Sequence, residues 1–189
     1  MTPCAECLRP ETSVLIVIDV QDKLLAKIPS TASLVKNIAF LLDVAALFDV
    51  PVRATEQYPQ GLGPTTAPLA QRLPQPPWTK TVFSCCGAGT FLEELEMLRR
   101  PQVVLTGIET HVCVSQTAFD LLHSGMRVYL PVDALAARYD IDHDIACRRL
   151  ERAGAVLTTV EAVAFEWLRD AAHPRFAEFR QLVIQRMQS

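Results

Sequence analysis

The alternation of short β-branched runs with longer helical periods constrains this chain more than any other feature. The run VLIVIDV (Val14–Val20) has the length and Val/Ile content of a buried strand. Ser30 or Thr31 can cap a helix. Leu34, Val35, Ile38, Leu41, Leu42, Ala45 and Phe48 follow at helical spacing and predict an amphipathic helix over 32–48. Val50–Thr55, Gln102–Thr106, Arg127–Pro131 and Ala155–Thr159 read as four more strands. Helices are predicted over Thr90–Arg99, His111–His123 and Asp142–Ala153, the last two closed by Gly125 and Gly154. Two further helical segments, 160–169 and 175–187, finish the chain. Strands separated by helices pair in parallel through crossovers. The expectation is a three-layer α/β/α sandwich with a mostly parallel central sheet. Pro59, Pro64, Pro68, Pro74, Pro76 and Pro77 interrupt the stretch after the second strand, leaving room for a helical turn or two at Ala67–Arg72. No repeat or linker divides the chain. A single domain over 13–189, preceded by a flexible tail over 1–12, is the expected organisation.

Half of the 189 residues are hydrophobic and 21% are charged, enough to bury a sizeable core. The net charge of −3 offers none of the basic excess of a nucleic-acid binder. No apolar run reaches the roughly 18 residues that span a bilayer, so no membrane partner is expected. The opening MTPCAECLRPETS lacks a basic region followed by an apolar one, and the expectation is a cytoplasmic chain. In such a compartment the six cysteines are read as free thiols.

Ligands bind beyond the carboxyl ends of the strands in an open α/β sheet. Asp19 ends the first strand. A carboxylate there loses solvation, which suits a proton shuttle, although a capping role would also place it there. Cys113 falls in the first turn of the helix after the third strand, where the helix amides favour a thiolate and can hold an oxyanion. Its alternative is a small buried hydrophobe. Lys80, in WTKTVFS, can favour a Cys113 thiolate and orient Asp19, or else snorkel at the surface. Cys4-x-x-Cys7 is half a zinc pattern without a second pair, and the four histidines share no metal-like spacing. His111 is close enough to Cys113 in sequence to act as a base. Neither a G-x-G-x-x-G nor a P-loop is present. No cofactor or metal is expected.

Taken in order, Asp19, Lys80 and Cys113 resemble the isochorismatase-like cysteine hydrolase superfamily. The stretches that carry the resemblance are VLIVIDVQDKLL (Val14–Leu25), WTKTVFSC (Trp78–Cys85) and TGIETHVCVSQTAFDLLHSG (Thr106–Gly125). TEQYPQGLGPT (Thr55–Thr65) is similar to the branch called isochorismatase domain-containing proteins, and ERAGAVLTTVEAVAFEWL and HPRFAEFRQL fit the same branch. The resemblance implies a triad with Cys113 as nucleophile, Asp19 as proton carrier and Lys80 holding both. It implies a cis Ile108–Glu109 peptide that aims the Glu109 N–H, beside the Cys113 N–H, at an oxyanion. Homo-oligomers are usual in the superfamily. Gln57, Tyr58, Trp78 and Phe83 are candidate contacts for a small-molecule substrate. The chain departs from nicotinamidases, which carry a metal-binding Asp-x-His where Glu56-Gln57-Tyr58 stands here. Cys113 separates it from siderophore-type isochorismatases, which lack the nucleophile. The activity implied is hydrolysis of a small amide or related C–N carbonyl compound through a thioester. A binding protein that keeps the site unused, and a thiol redox protein pairing Cys113 with Cys85 or Cys86, are the competing readings.

Overall fold

The computed structural model describes residues 7–188. Its strands are β1 (Ser13–Ile18), β2 (Val52–Gln57), β3 (Trp78–Lys80), β4 (Gln102–Ile108), β5 (Arg127–Pro131), β6 (Leu135–Ala136) and β7 (Val156–Thr158). Its helices are α1 (Asp22–Leu25), α2 (Thr31–Leu47), α3 (Pro59–Leu62), α4 (Ala67–Ala70), α5 (Phe91–Leu98), α6 (Ser115–His123), α7 (Asp140–Arg152), α8 (Val160–Leu168) and α9 (Phe176–Gln188). The strands form one parallel sheet in the order β3-β2-β1-β4-β5-β7. The two-residue β6 pairs with Gly107 and Ile108 of β4, beyond the stretch that β5 covers. This is the α/β class expected from the alternation.

Because successive side chains point to opposite faces, β1 divides the molecule. All six of its residues are buried. Leu15 and Val17 join the core formed by α2, α4, α8 and α9, whereas Val14, Ile16 and Ile18 join the core under α5, α6 and α7. Each fully buried side chain of this size contributes about 1.5–3 kcal/mol. A strand with both faces covered therefore holds the three layers together. The fully buried Trp167 of α8 donates its indole N–H to Ser13 Oγ at 3.0 Å, so its polar end is also satisfied.

The structure departs from the sequence expectation at four places. The first strand stops at Ile18 rather than Val20, because Asp19 takes a left-handed φ of 54°. Strand β3 arises inside the proline-rich stretch, directly after Pro76 and Pro77, and pairs with the end of β2. The helix expected from His111 begins with a π-helical turn, Thr110–Val114, before α6. The expected tail over 1–12 is anchored at its end. Leu8 is fully buried, its N–H reaches Glu166 Oε2 at 2.6 Å, and the Arg9 N–H reaches Gln102 Oε1 at 3.0 Å. Cys4, half of the considered zinc pattern, lies outside the described residues, and Cys7 is an exposed free thiol.

Candidate active site

Four neighbouring strands deliver the site. In the order β3, β2, β1, β4 their carboxyl ends carry Lys80, then Thr55 and Gln57, then Asp19, then Glu109 leading into Cys113. Asp19 turns out of β1 after its N–H bonds the Thr55 carbonyl at 3.1 Å, and its own carbonyl accepts the Gln21 N–H at 2.8 Å. The carboxylate is then held at both oxygens: Thr55 Oγ1 donates to Oδ1 at 2.8 Å and Lys80 Nζ to Oδ2 at 2.6 Å. Both charged side chains are completely buried. An ion pair withdrawn from water in this way persists only where further hydrogen bonds satisfy its remaining protons and lone pairs. Lys80 has them, from Gln57 Oε1 at 2.7 Å and the Phe83 carbonyl at 3.0 Å.

Cys113 sits in the π-helical turn that follows a cis Ile108–Glu109 peptide. Its thiol lies within the electrostatic reach of both Asp19 and Lys80, which brings together the trio picked out from the sequence. The helix start favours a thiolate at this position, and burial works against it. Burial pushes the thiol up from 9.0 to about 12, the Asp19 charge adds to this, and the Lys80 charge only partly opposes it. Burial thus favours the protonated thiol in the resting protein. The Glu109 carbonyl accepts the N–H groups of Val112 and Val114 but not that of Cys113 between them. The Glu109 N–H has no acceptor among the described residues. Its side chain is clamped instead, since Arg138 donates both its backbone N–H and its Nε to Glu109 Oε2 at 3.0 Å.

The remaining sequence candidates fall elsewhere. Gln57 does not offer its side chain to a substrate: its Oε1 is bound to Lys80 and its Nε2 donates to the Thr81 carbonyl at 2.8 Å. Trp78 is partly buried against the core under α5. Tyr58 and Phe83 remain 53% and 50% exposed. His111 turns to Asp142 at the start of α7, 3.8 Å away. Residues that the sequence reading passed over complete the frame. Thr117 Oγ1 accepts the Cys85 N–H at 2.9 Å and donates to the Cys113 carbonyl at 2.7 Å, and the buried Cys85 thiol lies 3.5 Å from Thr55 Oγ1. Gln21, two residues after Asp19, is visible in the sequence, but its role depends on pairings that are not. Among the described residues, no three of His, Cys, Asp and Glu lie together as a metal site. No helix of the described chain is long and apolar enough to cross a membrane.

Comparison with known proteins gives this geometry a family. The model of the isochorismatase domain matches residues 13–162. Isochorismatase domain-containing protein 2A of Mus musculus is 41% identical over 175 residues, covering 92% of this chain and 84% of its own. The structure of the MAR1 ribonuclease from Caenorhabditis elegans superposes with a TM-score of 0.88 at 37% identity, covering 94% of this chain and 92% of that one. The YcaC gene product of Escherichia coli, described as an octameric hydrolase of unknown specificity, shares the fold with a TM-score of 0.85 at 23% identity and 99% coverage of both chains. Because the matched segment runs from β1 through β7 and takes in the whole buried trio, the chain belongs to the isochorismatase domain family.

Proposed function

We propose that this chain is a metal-independent cysteine hydrolase that cleaves a small amide, or a related C–N carbonyl compound, through a thioester on Cys113. One observation carries the reading. A buried thiol faces the charge of a carboxylate that is itself held by an ammonium, and the Glu109 N–H shortly before it in the chain has no acceptor among the described residues. As Sγ attacks the substrate carbonyl, Asp19 takes the thiol proton, so a high resting value is no obstacle to a base-assisted nucleophile. The oxyanion accepts hydrogen bonds from the Glu109 and Cys113 N–H groups. Asp19 passes its proton to the leaving nitrogen as the C–N bond breaks. It then takes a proton from water, which attacks the thioester, and returns that proton to the sulfur as the acid departs.

A ribonuclease reading, suggested by the name of the nematode relative, finds less support. The net charge is −3, and Lys80 is committed to groups within the protein. We further propose a homo-oligomer, the state described for the E. coli protein that shares the fold. The free thiols fit a reducing compartment, and we place the chain in the cytoplasm. The test is a panel of small amides with ammonia release as readout, run beside an electrophilic acyl probe followed by intact mass. Turnover and an adduct in the wild type, both absent in Cys113→Ala, are expected. An adduct that survives Cys113→Ala removes the nucleophile. RNA cleavage that survives the same substitution, with no amide turned over, replaces the reading.

A further inference from the structure

The fit of Gln57 to Lys80 is closer than a chance surface contact allows. Gln57 and Lys80 are register partners on β2 and β3, so their side chains leave the sheet side by side. An ammonium has three protons. Those of Lys80 are taken by Asp19 Oδ2 at 2.6 Å, Gln57 Oε1 at 2.7 Å and the Phe83 carbonyl at 3.0 Å, with the Val82 carbonyl a weaker fourth acceptor at 3.4 Å. No proton of Lys80 is left for Cys113 or for a substrate. Gln57 is in turn fixed from three sides. Its Nε2 donates to the Thr81 carbonyl, its N–H to Gln21 Oε1 at 2.8 Å, and its carbonyl accepts Gln21 Nε2 at 3.0 Å. Gln21 is fully buried, and its Nε2 also reaches the Gly63 carbonyl at 2.6 Å, in the loop that follows Tyr58. The Nε2 bond to Thr81 leaves Oε1 as the end of the amide that meets the ammonium.

We propose that Gln57 is a positioning residue that locks the Lys80 ammonium onto Asp19, so that Lys80 acts as a fixed charge and Asp19 alone carries the Cys113 proton. The inference rests on the reading of Cys113 as nucleophile and adds the residue that sets its protonation. The titratable groups facing Cys113 are Asp19 from the end of β1, Lys80 from β3 and Cys85 from the short turn before α5; of these only Lys80 favours the thiolate by its charge. Removing the Gln57 oxygen leaves the buried ammonium proton it accepts only the weaker Val82 carbonyl at 3.4 Å and loosens the hold of Lys80 on Asp19. Replacing the amide by a carboxylate keeps the shape but sets a second anion against Lys80 in competition with Asp19.

The experiment is alkylation of the full chain by iodoacetamide between pH 7 and 10, with the Cys113 and Cys7 peptides quantified separately by mass spectrometry. Gln57→Leu and Gln57→Glu are both expected to slow Cys113 about tenfold at pH 8 and to move its profile to the alkaline side, while the exposed Cys7 reacts at the wild-type rate. A purely structural Gln57 would lower the melting midpoint of Gln57→Leu but leave Cys113 in its folded fraction on the wild-type profile, and that result overturns the role assigned here even if amide turnover is found. Should Gln57→Leu fail to fold, Gln57→Met, which also lacks the amide oxygen, decides by the same comparison. A wild-type Cys113 that stays unreactive toward both iodoacetamide and the electrophilic acyl probe across the range, while Cys7 is modified, overturns both this inference and the nucleophile on which it stands.

Discussion

Gly107 and Ile18 approach so closely that a β-carbon on Gly107 would lie 2.1 Å from the Ile18 carbonyl oxygen. They are register partners on β4 and β1, each the last or next-to-last residue before its strand releases a site group. With a φ of +114°, Gly107 also holds a backbone shape that L side chains rarely adopt. Two rigid strands provide the obstacle, so no flexible side chain can move aside. Gly107→Ala is expected to cost at least about 2–4 kcal/mol, read as a lower urea midpoint. Any folded fraction should lose Cys113 reactivity, because Asp19 and Glu109 no longer leave their strands side by side. A wild-type midpoint would contradict the tight approach.

Asp19→Asn removes the proposed proton acceptor while keeping the shape. Breaking a buried ion pair costs about 3–5 kcal/mol. The remaining acceptors of Lys80, Gln57 Oε1 and the Phe83 carbonyl, place the expected loss at the lower end. Thermal melting should show a folded protein with a lower midpoint, and the acyl adduct at Cys113 should be lost. Full adduct formation in a folded Asp19→Asn would take the proton-transfer role away from Asp19.

Buried thiols make the fold sensitive to alkali. Cys85 is pushed up from 9.0 to about 11 by burial and then by the Asp19 charge, and Cys113 to about 12 for the same reasons. A group whose value is higher in the folded state stabilises that state fully below its unfolded value. That contribution fades as pH rises through the folded one. Stability should therefore hold up to about pH 9 and fall between about pH 9 and 12. Denaturant midpoints at pH 8 and 10 would show the fall, and Cys85→Ala should reduce its slope. An identical slope in that variant would mean that Cys85 does not titrate with unfolding.

The anchored start of the described chain gives another test. Leu8 is fully buried in the core on the α2 face. Leu8→Ala should cost about 2–5 kcal/mol, the usual range for a large core side chain cut to a methyl. Thermal melting would check this, and an unchanged midpoint would mean that the segment is not part of the core.

Legibility in the sequence followed the length of each signal. Strands β1, β2 and β4 announce themselves by β-branched residues, β5 by a short apolar run between Gly125 and Pro131, and α2 by apolar positions at helical spacing from Leu34 to Ala45. The three residues of β3 and the two of β6 are too short to display a period, and they form only because β2 and β4 present open edges. Asp19, Lys80 and Cys113 were readable because each is a chemically unusual residue beside an apolar stretch. The roles of Gln57 and Thr117 were not, since they arise from a register between strands and from the packing of a helix on a turn. The burial that pushes the Cys113 thiol up was not legible either, because position along a helix is visible in sequence and depth of burial is not.

Asp19 holds its left-handed φ of 54° in a conformation that asparagine and glycine tolerate best among the other residues. Neither of those carries an ionisable acid. A glutamate would bring the acid back on a longer arm and a less accommodating backbone. The corner after β1 therefore leaves aspartate without an easy evolutionary exit: drift away from it gives up either the charge or the bend, and a lineage that loses this residue is better placed to keep the scaffold than to recover the chemistry.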